Sequence, residues 1–238
     1  MIIAAEFRKL RTVRSTWMLL GIAQLIVVAG VCGLMLNRDD RDSVAAQQGA
    51  LAHVGLVALF SLLLGIMAIA GEYRHRTITD AYLATPRRER VVLAKLVVAA
   101  GAGLVLALTA AVTAVVTTVL WVGPALSLSS WELWRTLLGS IAWNVLFAAV
   151  GVGVGALVTN LIAAVATALA WIALVEGIVA QLLGDAGKWL PFALGSALES
   201  APTSTGGPAP GWAGLALAAY AAALVAVAIA TTVRRDVT

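Results

Sequence analysis

The sequence predicts an all-α membrane protein with six transmembrane helices. Of its 238 residues, 61% are apolar and 12% are charged, whereas a soluble domain carries about 25% charged residues. The apolar residues form long runs, and a helix of about 20 such residues crosses the ~30 Å hydrocarbon core of a bilayer. One long charged segment, residues 71–95, separates two of these runs. It holds six of the 16 Lys and Arg residues, namely Arg74, Arg76, Arg87, Arg88, Arg90 and Lys95.

The first element, residues 2–15, is predicted to be an amphipathic helix lying in the membrane surface. Apolar residues recur at three- and four-residue spacing, as one face of a helix requires: Ile3, Phe7, Leu10, Val13 and Trp17. The largely polar opposite side carries Glu6, Arg8, Lys9, Arg11 and Ser15. The alternative is that these basic residues simply anchor the first span at the cytoplasmic face.

The predicted spans cover residues 16–36, 50–70, 91–122, 133–157, 161–183 and 212–233. The third is longer than a bilayer requires, so it is tilted or projects beyond one face. One helix over 133–183 would be ~76 Å long, so this stretch must fold back once. Helical propensity is weakest at the glycines 151, 153 and 155 and then at Asn160, which predicts a tight turn there.

The basic residues predict that both termini lie in the cytoplasm. With six spans and an internal N-terminus, 12 of the 16 Lys and Arg residues fall on the cytoplasmic side, as the positive-inside rule expects. Residues 72–90 are then a cytoplasmic loop, and 184–211 form the longest extracellular loop. The apolar middle of that outer loop is expected to dip back into the interface. We treat the whole chain, 1–238, as a single transmembrane domain.

Two short helical pieces are predicted within the charged segment. Thr85 is a good helix N-cap and Pro86 suits the first helical position, so the third helix is predicted to start at Pro86. Before it, residues 77–83 form about two helical turns with Ile78 and Tyr82 on an apolar side. Such a helix suits a groove on another protein. The alternative is a solvated loop.

This segment resembles the motif at the second-to-third-span loop of ABC-2 type transporter permeases. The matching residues are Glu72, Arg74, Thr77, Ile78, Leu83, Thr85, Pro86, Arg90 and Lys95. The six-span count, the N-terminal amphipathic helix and the large outer loop are similar too, so the resemblance covers the whole topology. The pair Arg87-Arg88 departs from the family pattern and is expected to contact lipid phosphates.

The resemblance implies a permease subunit of an ATP-driven exporter. It would move a lipophilic substrate, such as a drug, antibiotic, peptide or lipid, out across the cell membrane, with multidrug efflux as one form and the bacterial inner membrane as the expected location. Residues 77–83 would be the coupling helix that rests on the ATPase subunit. The implied coupling residues are Glu72, Arg74, Thr77, Ile78, Tyr82, Pro86 and Arg90. Glu72 would pair with Arg74, Arg76 or Arg90, and the sequence does not choose among them.

The resemblance also implies the partners: two copies of an ABC ATPase subunit, a second permease copy that is identical or paralogous, and membrane lipids, but no nucleic acid. The sequence contains no Gly-x-x-x-x-Gly-Lys-Ser/Thr pattern for binding nucleotide phosphates. ATP and Mg²⁺ are therefore expected in the partner, and the chain itself is not expected to be an enzyme. The lone Cys32 excludes an intrachain disulfide, and we predict no metal site.

Glu176 and Asn144 are the candidate residues of a translocation path. Glu176 is the only acid inside a predicted span, and a lone carboxylate avoids hydrocarbon by facing the protein interior, a water-filled path or the headgroups. For Asn144 the alternative is an interhelical hydrogen bond, which is the more common role of an amide side chain within a span.

Two other functions remain open from the sequence. An ion-coupled secondary transporter would need several ionisable groups within its spans, or broken helices in paired repeats. A membrane-embedded enzyme would need a reactive set such as paired acids or Ser with a base. The spans offer only Glu176 and scattered amides, which are little support for either of these two functions. The permease is therefore favoured.

Overall fold

The computed structural model describes residues 2–75, 77–79, 83, 87–127, 129–200 and 207–234, and these contain helices but no strand. The α-helices are α1 Ile2–Thr12, α2 Arg14–Leu36, α3 Val44–Leu51, α4 His53–Leu56, α5 Ala58–Arg74, α6 Arg88–Val122, α7 Trp131–Leu157, α8 Leu161–Ala170, α9 Ala180–Leu182, α10 Pro191–Glu199 and α11 Pro210–Arg234. A π-helical segment, Trp171–Val179, joins α8 to α9, and 3₁₀ turns occupy Gly123–Ala125 and Gly184–Trp189.

Six helical stretches are long and apolar enough to cross a membrane: Arg14–Leu36, Val44–Arg74, Arg88–Ala125, Trp131–Leu157, Leu161–Leu182 and Pro210–Thr232. The all-α class and the six spanning helices are thus confirmed by length and composition. The second stretch begins earlier than the sequence suggested because α3 and α4 lead directly into α5. Ser43 starts it, since its Oγ accepts a hydrogen bond from the Ala46 amide at 3.1 Å.

The closest helix packing joins α5 to α7. A Cβ atom on Gly65 would collide with the carbonyl of Ala148, and one on Gly151 would collide with the carbonyl of Leu62. The two backbones therefore approach too closely for any larger side chain, as small residues allow in membrane helices. The same glycine stretch does not bend the chain, because α7 continues through it to Leu157.

The break in the stretch 133–183 lies just after those glycines, at residues 158–160. The Asn160 Oδ1 accepts hydrogen bonds from the amides of Ile162 at 3.0 Å and Ala163 at 3.1 Å. Asn160 is therefore the N-cap of α8, and this cap starts the new helix where the sequence predicted a turn.

Helix α10 packs against α7 and α11. Its Gly195 lies against the indole of Trp143, with no room for a Cβ atom. The Trp143 ring also meets Phe147 and Phe192 edge-on, at centroid distances of 5.6 and 5.0 Å. Aromatic packing of this kind holds the middle of segment 184–211 on the helix bundle.

The predicted start of the third spanning helix at Pro86 is wrong. Arg87 has an extended backbone, with φ −85° and ψ 93°, and α6 begins at Arg88. An extended residue interrupts helical hydrogen bonding, so a helix cannot run through Arg87. Thr85 and Pro86 themselves lie outside the described residues.

Candidate functional site

Four charged side chains from three helices meet at one end of the bundle, and we call them the charge ring: Glu6, Lys9, Glu72 and Lys95. The Lys95 Nζ lies 2.7 Å from Glu6 Oε2 and 2.7 Å from Glu72 Oε1. The Lys9 Nζ lies 2.9 Å from Glu6 Oε1 and 2.7 Å from Glu72 Oε1. The four groups thus alternate in sign around a closed circuit and link α1, the end of α5 and the start of α6.

The charge ring is mostly enclosed by protein. The Lys95 side chain is 1% exposed and the two carboxylates are nearly buried, while Lys9 is 48% exposed. Removing an ion from water costs several kcal/mol, which close pairing of good geometry offsets. Two acids and two bases cancel each other, so the burial of Lys95 depends on both carboxylates.

The pKa values of Glu6 and Lys9, both on α1, show the same mutual dependence. Burial raises the pKa of Glu6, but the charges and hydrogen bonds of Lys95 and Lys9 outweigh it and leave that pKa lowered. Burial lowers the pKa of Lys9, but Glu72 and Glu6 outweigh it and leave that pKa raised. Glu6 therefore contributes stability that is lost as pH falls through its pKa, and Lys9 contributes stability that is lost as pH rises through its own.

The predicted position of Glu6 on the N-terminal helix needs correction. Glu6 was placed on the largely polar side of this helix, yet it is buried against α6. The apolar Ile3 and Phe7 lie on the surface of the chain. Glu6 and Lys9 lie three residues apart, and this spacing brings both to one helix face. That face carries the ion pairs and therefore forms the contact with the bundle.

Of the predicted partners of Glu72, Arg74 and Arg90 are not the ones with which it pairs. Glu72 pairs with Lys9 and Lys95, whereas Arg74 and Arg90 are exposed. Arg76 lies outside the described residues. Residues two apart on a helix point in different directions, which separates Arg74 from Glu72. One signal for the correct pairing was present, because Glu6 is the only acid before Asp39 and Lys95 is the only charged residue of α6 after Arg90.

The segment after Glu72 is anchored to the same helices. Ile78 is 4% exposed and packs against Val91, with Ile2 and Tyr73 at the edge of the cluster. Its apolar side chain therefore faces this chain, which corrects the expectation that it faces a partner protein.

The exposed residues of this segment leave another surface for a partner. Thr77 and Thr79 are exposed, and Leu83 is 76% exposed. The Thr77 amide donates to the Glu72 carbonyl at 3.0 Å, so the segment starts directly from the charge ring. Tyr82, which was predicted beside Ile78, lies outside the described residues, as does Pro86.

A cavity of about 450 Å³ opens beside the charge ring, and all four ring residues line it. Met67 and Ala68 of α5, His75 and Leu161 are among the other residues that line it. The Glu72 Oε2 is buried without a hydrogen-bond partner in the part of the chain that the structure describes. The ring is therefore held together by ion pairs that lie beside open space.

Glu176 serves a structural role in this arrangement. Its Oε2 accepts hydrogen bonds from the amides of Phe192 at 2.6 Å and Ala193 at 3.1 Å. These amides belong to the first turn of α10, where backbone donors lack helical partners and a carboxylate is favourable. Glu176 thus ties the π-helical segment to α10.

Asn144 lies within the interhelical packing. It is fully buried, donates to the carbonyls of Val54 at 3.1 Å and Ser140 at 2.9 Å, and accepts from Ser61 at 2.7 Å. Asn144 therefore forms hydrogen bonds between helices, which is the alternative to a role in a translocation path.

The sequence reasoning missed Glu199, at the end of α10. Its carboxylate accepts a hydrogen bond from Ser140 at 2.7 Å and lies over Gly55, where a Cβ atom would collide with it. Burial raises its pKa to about 8, and the Ser140 hydrogen bond opposes this only partly. In the sequence it is simply one acid at the edge of a loop, which gives no sign of burial.

A family model described as ABC-2 family transporter protein matches residues 2–180. The matched range contains the whole charge ring and ends before α10. A comparison with curated proteins found no match.

Proposed function

The chain belongs to the ABC-2 family of transporter proteins and is a multi-pass membrane protein, and from this premise we propose that it is the permease subunit of an ATP-driven exporter. Membership of this family implies association with an ABC ATPase subunit in general. ATP and Mg²⁺ are bound by that subunit, because the sequence of this chain has no phosphate-binding loop. Two ATPase copies and two permease copies form the transporter, in keeping with the resemblance of the motif around Glu72.

The observation that carries the proposal is the charge ring. It connects α1 to both ends of the charged segment, because Glu72 lies at the start of that segment and Lys95 at its end. A displacement of the segment therefore acts on three helices at once. Buried ion pairs are sensitive to small shifts, since their energy depends on close geometry. The ring is suited to convert a push from the ATPase into movement of the spanning helices.

The surface that receives this push comprises Thr77, Thr79 and Leu83, which are exposed next to the anchored Ile78. We place this surface in the cytoplasm, together with both termini, on the basis of the distribution of basic residues. Arg74 and Arg90 are exposed on the same segment and are available to acidic groups of the ATPase. Tyr82 and Pro86 belong to it by their positions in the motif.

The substrate we propose is lipophilic and leaves the cytoplasmic leaflet or cytoplasm outward, across a bacterial inner membrane. Glu176 and Asn144 act in the packing of helices that must shift during transport. Through its contacts with α10, Glu176 holds helices next to the translocation path in place. Asn144 does the same through its contacts with α4 and α5.

The test is co-purification of the chain with its candidate ATPase subunit, followed by reconstitution in liposomes and measurement of ATP hydrolysis. We expect the wild-type chain to bind the ATPase and to change its hydrolysis rate several-fold. Leu83→Asp should abolish binding, because a charge replaces an exposed apolar contact. Glu72→Gln should preserve binding but remove the effect on hydrolysis, since the amide breaks the circuit of ion pairs.

The matched control is Glu132→Gln, an exposed acid at the other end of α7 from the 158–160 turn. It should leave both binding and hydrolysis unchanged. Failure of the wild-type chain to retain any ATPase would refute the permease function. Normal control of hydrolysis by the Glu72→Gln chain would refute the role of the charge ring alone.

A further inference from the structure

An apolar groove of about 960 Å³ runs between α1, α2 and α6. Ile3 and Phe7 of α1, Trp17 of α2, and Val97 and Val105 of α6 form much of its wall. Its volume falls within the ~300–1,000 Å³ of small-molecule sites. Because two of its three walls are spanning helices, an occupant would lie at the membrane and not in water.

Three arginines lie in or next to the chain segment that lines this groove. Arg11 lines it directly, Arg8 lies one helical turn earlier on α1, and Arg14 is the first residue of α2. All three are exposed, and none forms an ion pair within the part of the chain that the structure describes. The single acid of α1, Glu6, is already engaged by Lys9 and Lys95.

We propose that this groove is a specific site for an anionic phospholipid. One acyl chain lies along the apolar wall formed by α2 and α6, and the phosphate lies against Arg11 with Arg8 or Arg14. Guanidinium groups bind phosphate oxygens in bidentate fashion, and basic pockets between spanning helices favour anionic headgroups. This site goes beyond the transport function and does not depend on it.

The positive charge beside the groove favours an anionic lipid over the two alternative occupants, a second copy of the chain and a neutral lipophilic molecule. A second copy of the chain docked here across a two-fold axis would place two sets of these basic residues in one interface, and like charges at short range repel. A neutral lipophilic molecule would use the apolar wall but would leave the three guanidinium groups without a counter-charge. An anionic lipid satisfies both features.

Trp17 provides a reporter inside the site. Trp17 is 59% exposed and lines the groove, and its indole N–H donates a hydrogen bond to the Arg11 carbonyl at 2.9 Å. Bromine on an acyl chain quenches tryptophan fluorescence on contact. The Trp17 signal is the difference between the wild-type chain and the Trp17→Phe variant, which removes the contribution of the other tryptophans.

The experiment uses vesicles of 20 mol% phosphatidylglycerol and 80 mol% phosphatidylcholine. In one set all the phosphatidylglycerol is brominated, and in the other an equal amount of the phosphatidylcholine is brominated. The lipid composition is thus identical, and only the headgroup that carries the bromine differs. We expect brominated phosphatidylglycerol to quench Trp17 at least about two-fold more strongly, since each basic residue favours the anionic lipid.

Three variants separate charge from shape. Arg8→Gln/Arg11→Gln/Arg14→Gln should equalise the two lipids, while Arg90→Gln, an exposed arginine elsewhere, should not. Gly101→Phe should weaken quenching by phosphatidylglycerol without changing any charge, because Gly101 lines the groove and a Cβ atom there meets open space.

Equal quenching by both brominated lipids in the wild-type chain would overturn the proposal, because the groove would then hold ordinary boundary lipid. Absence of quenching by either lipid would also overturn it, since another molecule or a second copy would cover the groove. If Arg90→Gln loses the preference for brominated phosphatidylglycerol as the triple variant does, the preference depends only on the overall charge of the protein. That result would reject a defined site.

Discussion

Replacing Lys95 by Met tests the charge ring most directly. Lys95 is the most deeply buried member, and it contacts both carboxylates at 2.7 Å. Methionine is similar in length and flexibility to lysine but carries no charge. The variant leaves Glu6 and Glu72 close together, with Lys9 as their remaining cation among the described residues.

The expected cost follows from the geometry. Removing one partner of a buried ion pair destabilises a protein by roughly 3–5 kcal/mol. Lys9 still contacts both carboxylates, but it is half exposed and solvent weakens its pull. One carboxyl group can also take up a proton, which limits the repulsion. We therefore expect the lower end, about 3 kcal/mol, which lowers Tm by roughly 6–12 °C for a chain of this size.

The assay is thermal unfolding of the purified chain in detergent at neutral pH, followed by circular dichroism. The companion variant Glu6→Gln/Lys95→Met removes one charge of each sign. It should recover much of the lost stability, because a buried pair replaced by neutral groups is often tolerated. A loss below about 1 kcal/mol for Lys95→Met, or no recovery in the double variant, would refute the reasoning.

Three further predictions follow from other contacts. Glu199 has a pKa raised from 4.5 to about 8, so wild-type stability should fall as pH rises across that interval, by up to about 1.4 kcal/mol per pH unit. Glu199→Gln should flatten this dependence in unfolding curves recorded at several pH values, and an unchanged slope would contradict it. Gly151→Val should abolish the folded state or lower Tm by more than any surface substitution, because its Cβ atom would strike the Leu62 carbonyl; a wild-type melting curve would show that the helices are farther apart. Glu176→Gln should loosen the start of α10 by about 1 kcal/mol, seen as faster hydrogen exchange at Phe192, and unchanged exchange there would remove Glu176 from this role.

Most of the features that could be predicted from the sequence depend on residues close together in the chain. Each spanning helix is visible in the sequence because lipid requires a long apolar run whose backbone groups bond within the same segment. The turn near Asn160 was also visible, because a cap acts over three residues. The motif from Glu72 to Lys95 was enough to suggest the ABC-2 family, and the match over residues 2–180 confirms it.

Long-range pairing was not predictable. Glu72 was expected to pair with an arginine of its own loop, but it meets Lys9 of α1 and Lys95 of α6. Which charges meet depends on how α1 is rotated against α6, and periodicity defines a helix face without identifying its neighbour. Glu199 illustrates the same limit, because its burial results from the way α10 packs on α7.

By itself the sequence determined that this chain is a membrane protein, that six of its helices are long and apolar enough to span the bilayer, and that a charged segment separates the second and third of them. Apolar length and charge density are properties of consecutive residues, so they need no knowledge of packing. Only the tertiary structure decided which ions share the charge ring, where Glu176 and Asn144 form hydrogen bonds, and that apolar residues of α1 line a groove together with Arg11. Those outcomes depend on distances between helices far apart in the chain, and side-chain packing alone sets these distances.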